Sequence, residues 1–142
     1  MIFCDTSAAA KLYLPEPDSP PMRAKLEAED QVFVSELARI ELMSVFHRQW
    51  RQRLWTHAQF LAAVRQFTNN DVGGFWTWLE LDSALIEAGS KTFTTLPPSV
   101  RLRSADCLHL VTALHHGFTE LYTYDPHQRE AAVALGLRPL TA

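Results

Sequence analysis

Hydrophobic and polar positions along the chain form two patterns: short apolar runs and longer segments with helical spacing. The short runs, rich in β-branched and aromatic residues, predict strands. They span residues 2–4, 31–34, 75–81, 121–124 and 137–140. Segments in which apolar residues recur every three or four positions predict helices. They span residues 6–14, 20–29, 35–53, 56–69, 82–93, 104–116 and 126–135.

The regular alternation of strand and helix predicts an α/β fold with three layers, α/β/α. Its central sheet is expected to be mostly parallel and to contain four to five strands, because apolar strands joined through helices need cover on both faces. No repeat, low-complexity tract or linker divides the sequence, so residues 1–142 are expected to form a single domain. With 142 residues, 47% of them apolar, the chain is long enough to bury a sizeable core.

Two carboxylates directly follow predicted strands. Asp5 ends the first strand, and Asp125 follows the strand at 121–124. The carboxyl ends of parallel strands meet at one edge of a sheet, where ligands bind in such folds. A simpler interpretation stays open for both residues. Asp5 can cap the helix that begins at Thr6, and Asp125, followed by Pro126, can cap the last helix.

Two further carboxylates lie in strongly apolar helices. Glu41 has Leu37 and Val45 four residues away on either side, and Asp106 is followed by an apolar helix that also carries His109. A buried carboxylate without a partner is costly, so both acids need one. Alternatively, Glu41 lies on the surface if its helix is rotated, and Asp106 complements the helix dipole. His109 is more typical of a structural histidine than of a metal ligand.

Convergence of these four acids would create strong mutual repulsion, which protons or cations must relieve. An oxygen-only ligand set without a His/Cys cluster favours Mg²⁺ or Mn²⁺ over zinc. The formal net charge of the chain is only −3. The stretch HRQWRQR nevertheless concentrates Arg48, Arg51 and Arg53. This stretch is either a solvated helix face or a contact surface for nucleic-acid phosphates or an acidic partner segment.

Four segments of the chain resemble the acidic blocks of PIN-domain ribonucleases, and most of all those of VapC-type toxins from bacterial toxin–antitoxin pairs. They occur in the family's order and together cover nearly the whole chain. The segments are FCDTSAAAKLYLPE, SELARIELMSVFHR, LRSADCLHLVTAL and LYTYDPHQREAAVALGL. The resemblance implies a PIN-like fold. It also implies that the catalytic, metal-binding acids are Asp5, Glu41, Asp106 and Asp125, supported by the hydroxyls of Thr6 and Thr123. Glu36, just after a strand, fits the second block less well than Glu41 does.

The activity implied by the resemblance is Mg²⁺- or Mn²⁺-dependent endoribonuclease cleavage of structured RNA, leaving a 5′-phosphate and a 3′-hydroxyl. The implied partner is a VapB-type antitoxin, with Arg48, Arg51 and Arg53 contacting RNA or antitoxin. The four tryptophans favour a homodimer with buried aromatic contacts. Two unclustered cysteines and the lack of a signal-peptide pattern or membrane span favour the cytoplasm. The alternative function is a PIN-like binding module without nuclease activity.

Two other acidic-pocket classes fit the sequence poorly. A phosphoacceptor receiver domain needs a lysine after a late strand, and none of the three lysines stands there. A haloacid-dehalogenase-type phosphatase needs an Asp-x-Asp motif, whereas this chain has Asp5, Thr6 and Ser7.

Overall fold

A computed structural model describes residues 1–142, and its core is a five-stranded sheet with every pair of neighbouring strands parallel. The strands are β1 (Ile2–Cys4), β2 (Val32–Ser35), β3 (Trp76–Leu79), β4 (Glu120–Tyr122) and β5 (Arg138–Leu140). Their order across the sheet is β3-β2-β1-β4-β5, so the first strand is the central one. The predicted α/β/α class is confirmed, and the sheet is entirely parallel.

Seven α-helices connect and follow these strands. They are α1 (Thr6–Ala9), α2 (Ser19–Glu27), α3 (Leu37–Arg51), α4 (His57–Val72), α5 (Ser83–Thr95), α6 (Ser104–His115) and α7 (Pro126–Ala134). The predicted first helix is shorter than expected, because α1 tightens into a 3₁₀ turn at Ala10–Leu12. The third helix starts later than predicted, because Ser35 is still the last residue of β2 and pairs with Leu79. It ends at Arg51, since Arg53 adopts a positive φ of 60°.

The two faces of the sheet carry separate apolar layers. Alternate residues of a strand point to opposite faces. Cys4 and Val34 therefore pack in a cluster with Leu42 and Phe46 of α3, whereas Phe3 packs with Leu110 of α6 on the other side. The layers hold the sheet rigidly on both sides, which fixes the direction in which its carboxyl edge presents side chains. No helix combines the length and the apolar character needed to span a membrane.

Candidate active site

The central strand delivers Asp5 to the carboxyl edge of the sheet. The Asp5 amide donates a hydrogen bond to the carbonyl oxygen of Tyr122 at 3.1 Å, which fixes the chain between β1 and β4. Its Oδ1 accepts from the amide of Ala8 at 3.0 Å, so Asp5 also caps α1. Asp125 likewise caps α7, accepting from the amide of His127 at 2.8 Å. Capping and a position at the sheet edge are therefore compatible in both residues.

The Asp5 side chain is only 3% exposed and is held by hydroxyl donors. Ser7 Oγ donates to Oδ1 at 2.7 Å, and Thr123 Oγ1 donates to Oδ2 at 2.5 Å. Burial raises the pKa of Asp5 above its usual value, although the nearby His109 and these hydroxyl hydrogen bonds act against the rise. These contacts thus hold the Asp5 carboxylate in one orientation, and the surrounding protein groups compensate its negative charge only in part.

Glu41 extends from α3 to the same edge and has the partners that its apolar surroundings require. Thr6 Oγ1 donates to Oε1 at 2.7 Å, and His109 Nε2 lies 2.5 Å from the same oxygen. Burial acts to raise the pKa of Glu41, but the hydrogen bond and charge of His109, with the Thr6 hydroxyl, outweigh it and leave the pKa below its usual value. His109, 2% exposed, is therefore a direct partner of a site carboxylate.

Arg103 bridges the other two predicted acids, Asp106 and Asp125. Its Nε donates to Asp106 Oδ2 at 2.7 Å, and its Nη2 donates to Asp125 Oδ2 at 2.9 Å. Asp106 lies in the first turn of α6, and its side chain is 12% exposed, whereas the Arg103 side chain is 69% exposed. The sequence alone did not identify Arg103 as a site residue. The spacing of three residues between Arg103 and Asp106 was the available signal for the contact.

One cavity of about 430 Å³ is lined by all four predicted acids. Five carboxylates line it, namely Asp5, Glu16, Glu41, Asp106 and Asp125. Three permanently charged cations line it as well, namely Lys11, Arg48 and Arg103. Counted without His109, these eight groups carry a formal charge of −2, which one divalent cation would balance.

The donor set fits a hard divalent ion, but the side chains are not assembled around one point. Carboxylate and hydroxyl oxygens are the ligands that Mg²⁺ and Mn²⁺ prefer. No group of three His, Cys, Asp or Glu side chains is in an arrangement ready to hold a metal ion. The acids are instead engaged with other side chains of the protein. Arg103 donates hydrogen bonds to Asp106 and Asp125, and His109 contacts Glu41. Binding of an ion by these acids therefore requires local rearrangement.

The remaining predicted site residues divide between the cavity and the open surface. Thr123 is fully buried against Asp5, and Arg48 lines the cavity. Arg51 and Arg53 are exposed and lie outside the cavity lining, and Glu36 is exposed and outside it too.

Lys11, which the sequence did not indicate as a site residue, also lines the cavity. The Lys11 residue is 7% exposed, and its Nζ binds Glu16 and, at 2.6 Å, Asp18. The same Nζ stands 4.6 Å from the centroid of the Tyr124 ring. An isolated lysine in an alanine-rich helix gave no sequence signal for this position, because the contact depends on how the following loop folds back.

Comparison with known proteins places these features in a family. The PIN domain family matches residues 2–134. The chain is similar to a curated protein named Ribonuclease VapC46 from Mycobacterium tuberculosis, with 28% identity over 144 residues that cover 96% of this chain and 93% of that protein.

Two solved structures share the fold at low sequence identity. The first is VapC20 from Mycobacterium tuberculosis, described as a toxin that cleaves the sarcin–ricin loop, with 15% identity, a TM-score of 0.75 and full coverage of both chains. The second is a toxin–antitoxin complex from Klebsiella pneumoniae, with 17% identity, a TM-score of 0.60 and coverage of 99% of this chain and 97% of that one. Because the family match spans almost the entire fold and includes all four acids, the chain belongs to the PIN domain family.

Proposed function

We propose that this protein is a divalent-metal-dependent endoribonuclease and the toxin of a type II toxin–antitoxin pair. The observation that supports this most strongly is that Asp5, Glu41, Asp106 and Asp125 line one cavity of a PIN domain with two excess negative charges. The names of the curated relative and of the solved structures support ribonuclease activity and an antitoxin partner. The substrate class that fits best is structured RNA, cleaved to a 5′-phosphate and a 3′-hydroxyl.

Asp5 and Asp106 would hold the principal Mg²⁺ or Mn²⁺ ion, with Glu41 and Asp125 completing the site. When bound, such an ion lowers the pKa of a coordinated water and stabilises the leaving oxygen of a phosphodiester. Thr123 fixes the direction of the Asp5 carboxylate through Oδ2. Glu41, whose pKa lies below its usual value, stays ionised at neutral pH, and its Oε2 could orient the attacking water by accepting a hydrogen bond.

The cationic side chains that line the cavity can stabilise the scissile phosphate of the RNA. Lys11 and Arg48 line the same space as the acids and can balance the negative charge of the scissile group. Arg51 and Arg53 continue the positive surface beyond the cavity and would contact the RNA backbone or carboxylates of a VapB-type antitoxin. RNA as substrate and two unpaired cysteines, Cys4 and Cys107, favour action in the reducing cytoplasm.

A homodimer is part of the proposal. Large apolar side chains remain exposed outside the cavity, including Ile86 at 49% and Phe93 at 44%. Burial of such side chains in a contact between two copies would stabilise a dimer.

A PIN-like binding module without nuclease activity is the second candidate, and one observation favours it. Arg103 binds Asp106 and Asp125 at once, so two of the four acids are satisfied by a residue of the protein itself. A module of this kind would have no need of metal, and added Mg²⁺ or Mn²⁺ would not stabilise it.

The substitution Asp5→Asn tests the proposal. It keeps the size of the side chain and its capping oxygen, so the fold should persist. Cleavage of a structured RNA in Mg²⁺ should fall by about a hundredfold or more, because loss of even an outer partner of a metal site costs 10–100-fold. The increase in melting temperature caused by Mn²⁺ in the wild type should also disappear. The exposed Asp30, substituted as Asp30→Asn, is the matched control and should retain both properties.

Two results would count against the proposal. Cleavage by Asp5→Asn at the wild-type rate would remove Asp5 from the mechanism. An absence of both RNA cleavage and Mn²⁺-dependent stabilisation in the wild-type protein would favour the binding module.

A further inference from the structure

Four aromatic rings gather on the surface where the end of α3 meets the start of α4. Trp50 lies 4.6 Å from His57 and 5.2 Å from Phe60, measured between ring centroids. The Trp50 and Phe60 planes are nearly parallel, at 22°. His47 meets Trp50 edge-on at 5.9 Å and 88°. We call these four residues the aromatic platform.

The aromatic platform lies at the edge of the core that joins the two helices, with Phe60 packed partly against that core and Trp50 outside it. Phe46 of α3 is fully buried and contacts Trp55 and Phe67, and these contacts pack α3 against α4. Trp50, in contrast, is 38% exposed. The indole N–H groups of Trp76 and Trp78 donate to Tyr13 and Asp71, whereas that of Trp50 has no acceptor in the protein. Trp50 thus presents an amphipathic ring to solvent while His57 and Phe60 hold its orientation.

Positive charge connects the aromatic platform to the carboxylate cavity. Glu41, Val45 and Arg48 all line that cavity, and their spacing of four and three residues places them on one stripe of α3. Arg51 follows Arg48 by three residues, and the 3.6-residue period places it on the side of α3 between this stripe and Trp50. Trp50 lies on the opposite side of α3 from Glu41, so an RNA backbone that passes from Arg48 to Arg51 would move around the helix from the cavity toward the aromatic platform.

We propose that Trp50, supported by His57 and Phe60, is a stacking site for an unpaired nucleobase of the RNA substrate. This inference rests on the proposed ribonuclease function and specifies how its substrate is bound. Unpaired bases stack on aromatic side chains while arginines bind the phosphates, and this combination is the general mode of single-strand recognition. The stacking site would require that part of the substrate be single-stranded, because a paired base offers no free face.

The test measures binding without cleavage, in a background that carries Asp5→Asn. The first probe is a labelled ten-nucleotide oligoadenylate. The second is an abasic ten-mer with the same number of phosphates, so the two probes differ only in the bases. Trp50→Ala should weaken oligoadenylate binding about 5- to 100-fold, the range found when single stacking aromatics are removed. It should leave binding of the abasic probe unchanged.

Three further variants separate stacking from charge and from folding. Trp50→Phe should retain most of the oligoadenylate affinity, because a phenyl ring still stacks. Val133→Ala removes an apolar side chain that is 65% exposed on α7, and it should change neither affinity. Arg48→Gln should weaken both probes alike and lower the slope of log affinity against log salt by about one, whereas Trp50→Ala should leave that slope unchanged.

Three results would each overturn the stacking site. Trp50→Ala could weaken the binding of both probes equally, or it could leave the affinity for oligoadenylate unchanged. The parent protein could also bind oligoadenylate no more tightly than the abasic probe. Failure of the stacking site is distinguishable from that of the proposed function. A protein that binds oligoadenylate through Trp50 but cleaves no RNA in Mg²⁺ or Mn²⁺ would refute the nuclease alone. A protein that cleaves RNA with no effect of Trp50→Ala on either binding or rate would refute the stacking site alone.

Discussion

Substitution of Arg103 should increase the affinity of the cavity for a divalent ion. Arg103 donates at 2.7 Å to Asp106 and at 2.9 Å to Asp125. Both acceptor atoms belong to acids proposed to bind the ion, so binding requires that these contacts be given up or weakened. Arg103→Gln removes the competing charge and keeps a polar side chain of moderate length. We therefore expect Mn²⁺ and Mg²⁺ to bind this variant more tightly than the wild type.

The size of the effect follows from the exposure of the ion pairs. The Arg103 side chain is 69% exposed, whereas the side chains of Asp106 and Asp125 are 12% and 23% exposed. Exposed pairs contribute about 0.2–1 kcal/mol each, and solvent screening keeps the value low when one partner is mostly in water. Two such pairs contribute about 0.4–2 kcal/mol together. Since about 1.4 kcal/mol is a tenfold change, the apparent dissociation constant for Mn²⁺ should fall about 2- to 30-fold.

Titration calorimetry with Mn²⁺, or melting temperature as a function of Mn²⁺ concentration, measures this change. The control is Arg101→Gln. Arg101 lies two residues away and is exposed, and it makes no hydrogen bond or ion pair with the four acids. Both substitutions remove one positive charge, so a general effect of net charge would appear equally in the two variants. Only the specific contact distinguishes them.

The opposite result would refute the competition. If Arg103→Gln binds Mn²⁺ more weakly than Arg101→Gln does, Arg103 positions the two acids for the ion and does not compete with it. If the two variants bind equally well, the bridge from Arg103 to Asp106 and Asp125 has no energetic consequence for ion binding.

Two further predictions concern stability. Without metal, Asp5→Asn should melt at a higher temperature than the wild type at pH 7, because burial raises the pKa of Asp5 and makes its ionised form costly in the folded state. Melting curves should show that this gain shrinks toward about pH 4, where the carboxyl is protonated in the folded protein and increasingly so in the unfolded chain. An equal gain at every pH would contradict the ionisation argument. Phe46→Ala should reduce the free energy of unfolding by about 3–5 kcal/mol, because the ring is fully buried among Tyr13, Trp55 and Phe67. Phe93→Ala should reduce it far less, because that side chain is 44% exposed. Urea denaturation measures both values, and similar losses would mean that Phe46 is not a core residue.

The fold could be predicted because its signals are local and repeated. Each strand is a short apolar run, and each connection contains a helix, so a parallel sheet with two covered faces follows from general rules. Helix ends were less predictable. Ser35 has a good side chain for starting a helix, yet it pairs within β2, because the neighbouring β3 extends to Leu79. The sequence also contains no clear signal that α1 tightens into a 3₁₀ turn after Ala9, since alanines suit both kinds of helix.

The site acids and their partners differ in how far the sequence determines them. Asp5 and Asp125 follow strands, so the position of the sheet edge determines where they lie. Asp106 and Glu41 could be selected because a carboxylate is unusual in an apolar helix. Their partners depend on the conformations of long side chains and of loops. Arg103 reaches Asp125 across 22 residues of sequence, and His109 reaches Glu41 across 68, and no periodic pattern encodes such contacts.

The partners of the four acids indicate an order in which an ion would engage them. Arg103 is shared by Asp106 and Asp125, and Glu41 has His109. Asp5 alone is contacted only by hydroxyl and amide donors, and its pKa is raised. Asp5 can therefore accept a cation without losing an ion pair, whereas Asp106 must first compete with Arg103. The carboxylate that ends the central strand is thus the acid whose charge the protein leaves most in need of an external partner.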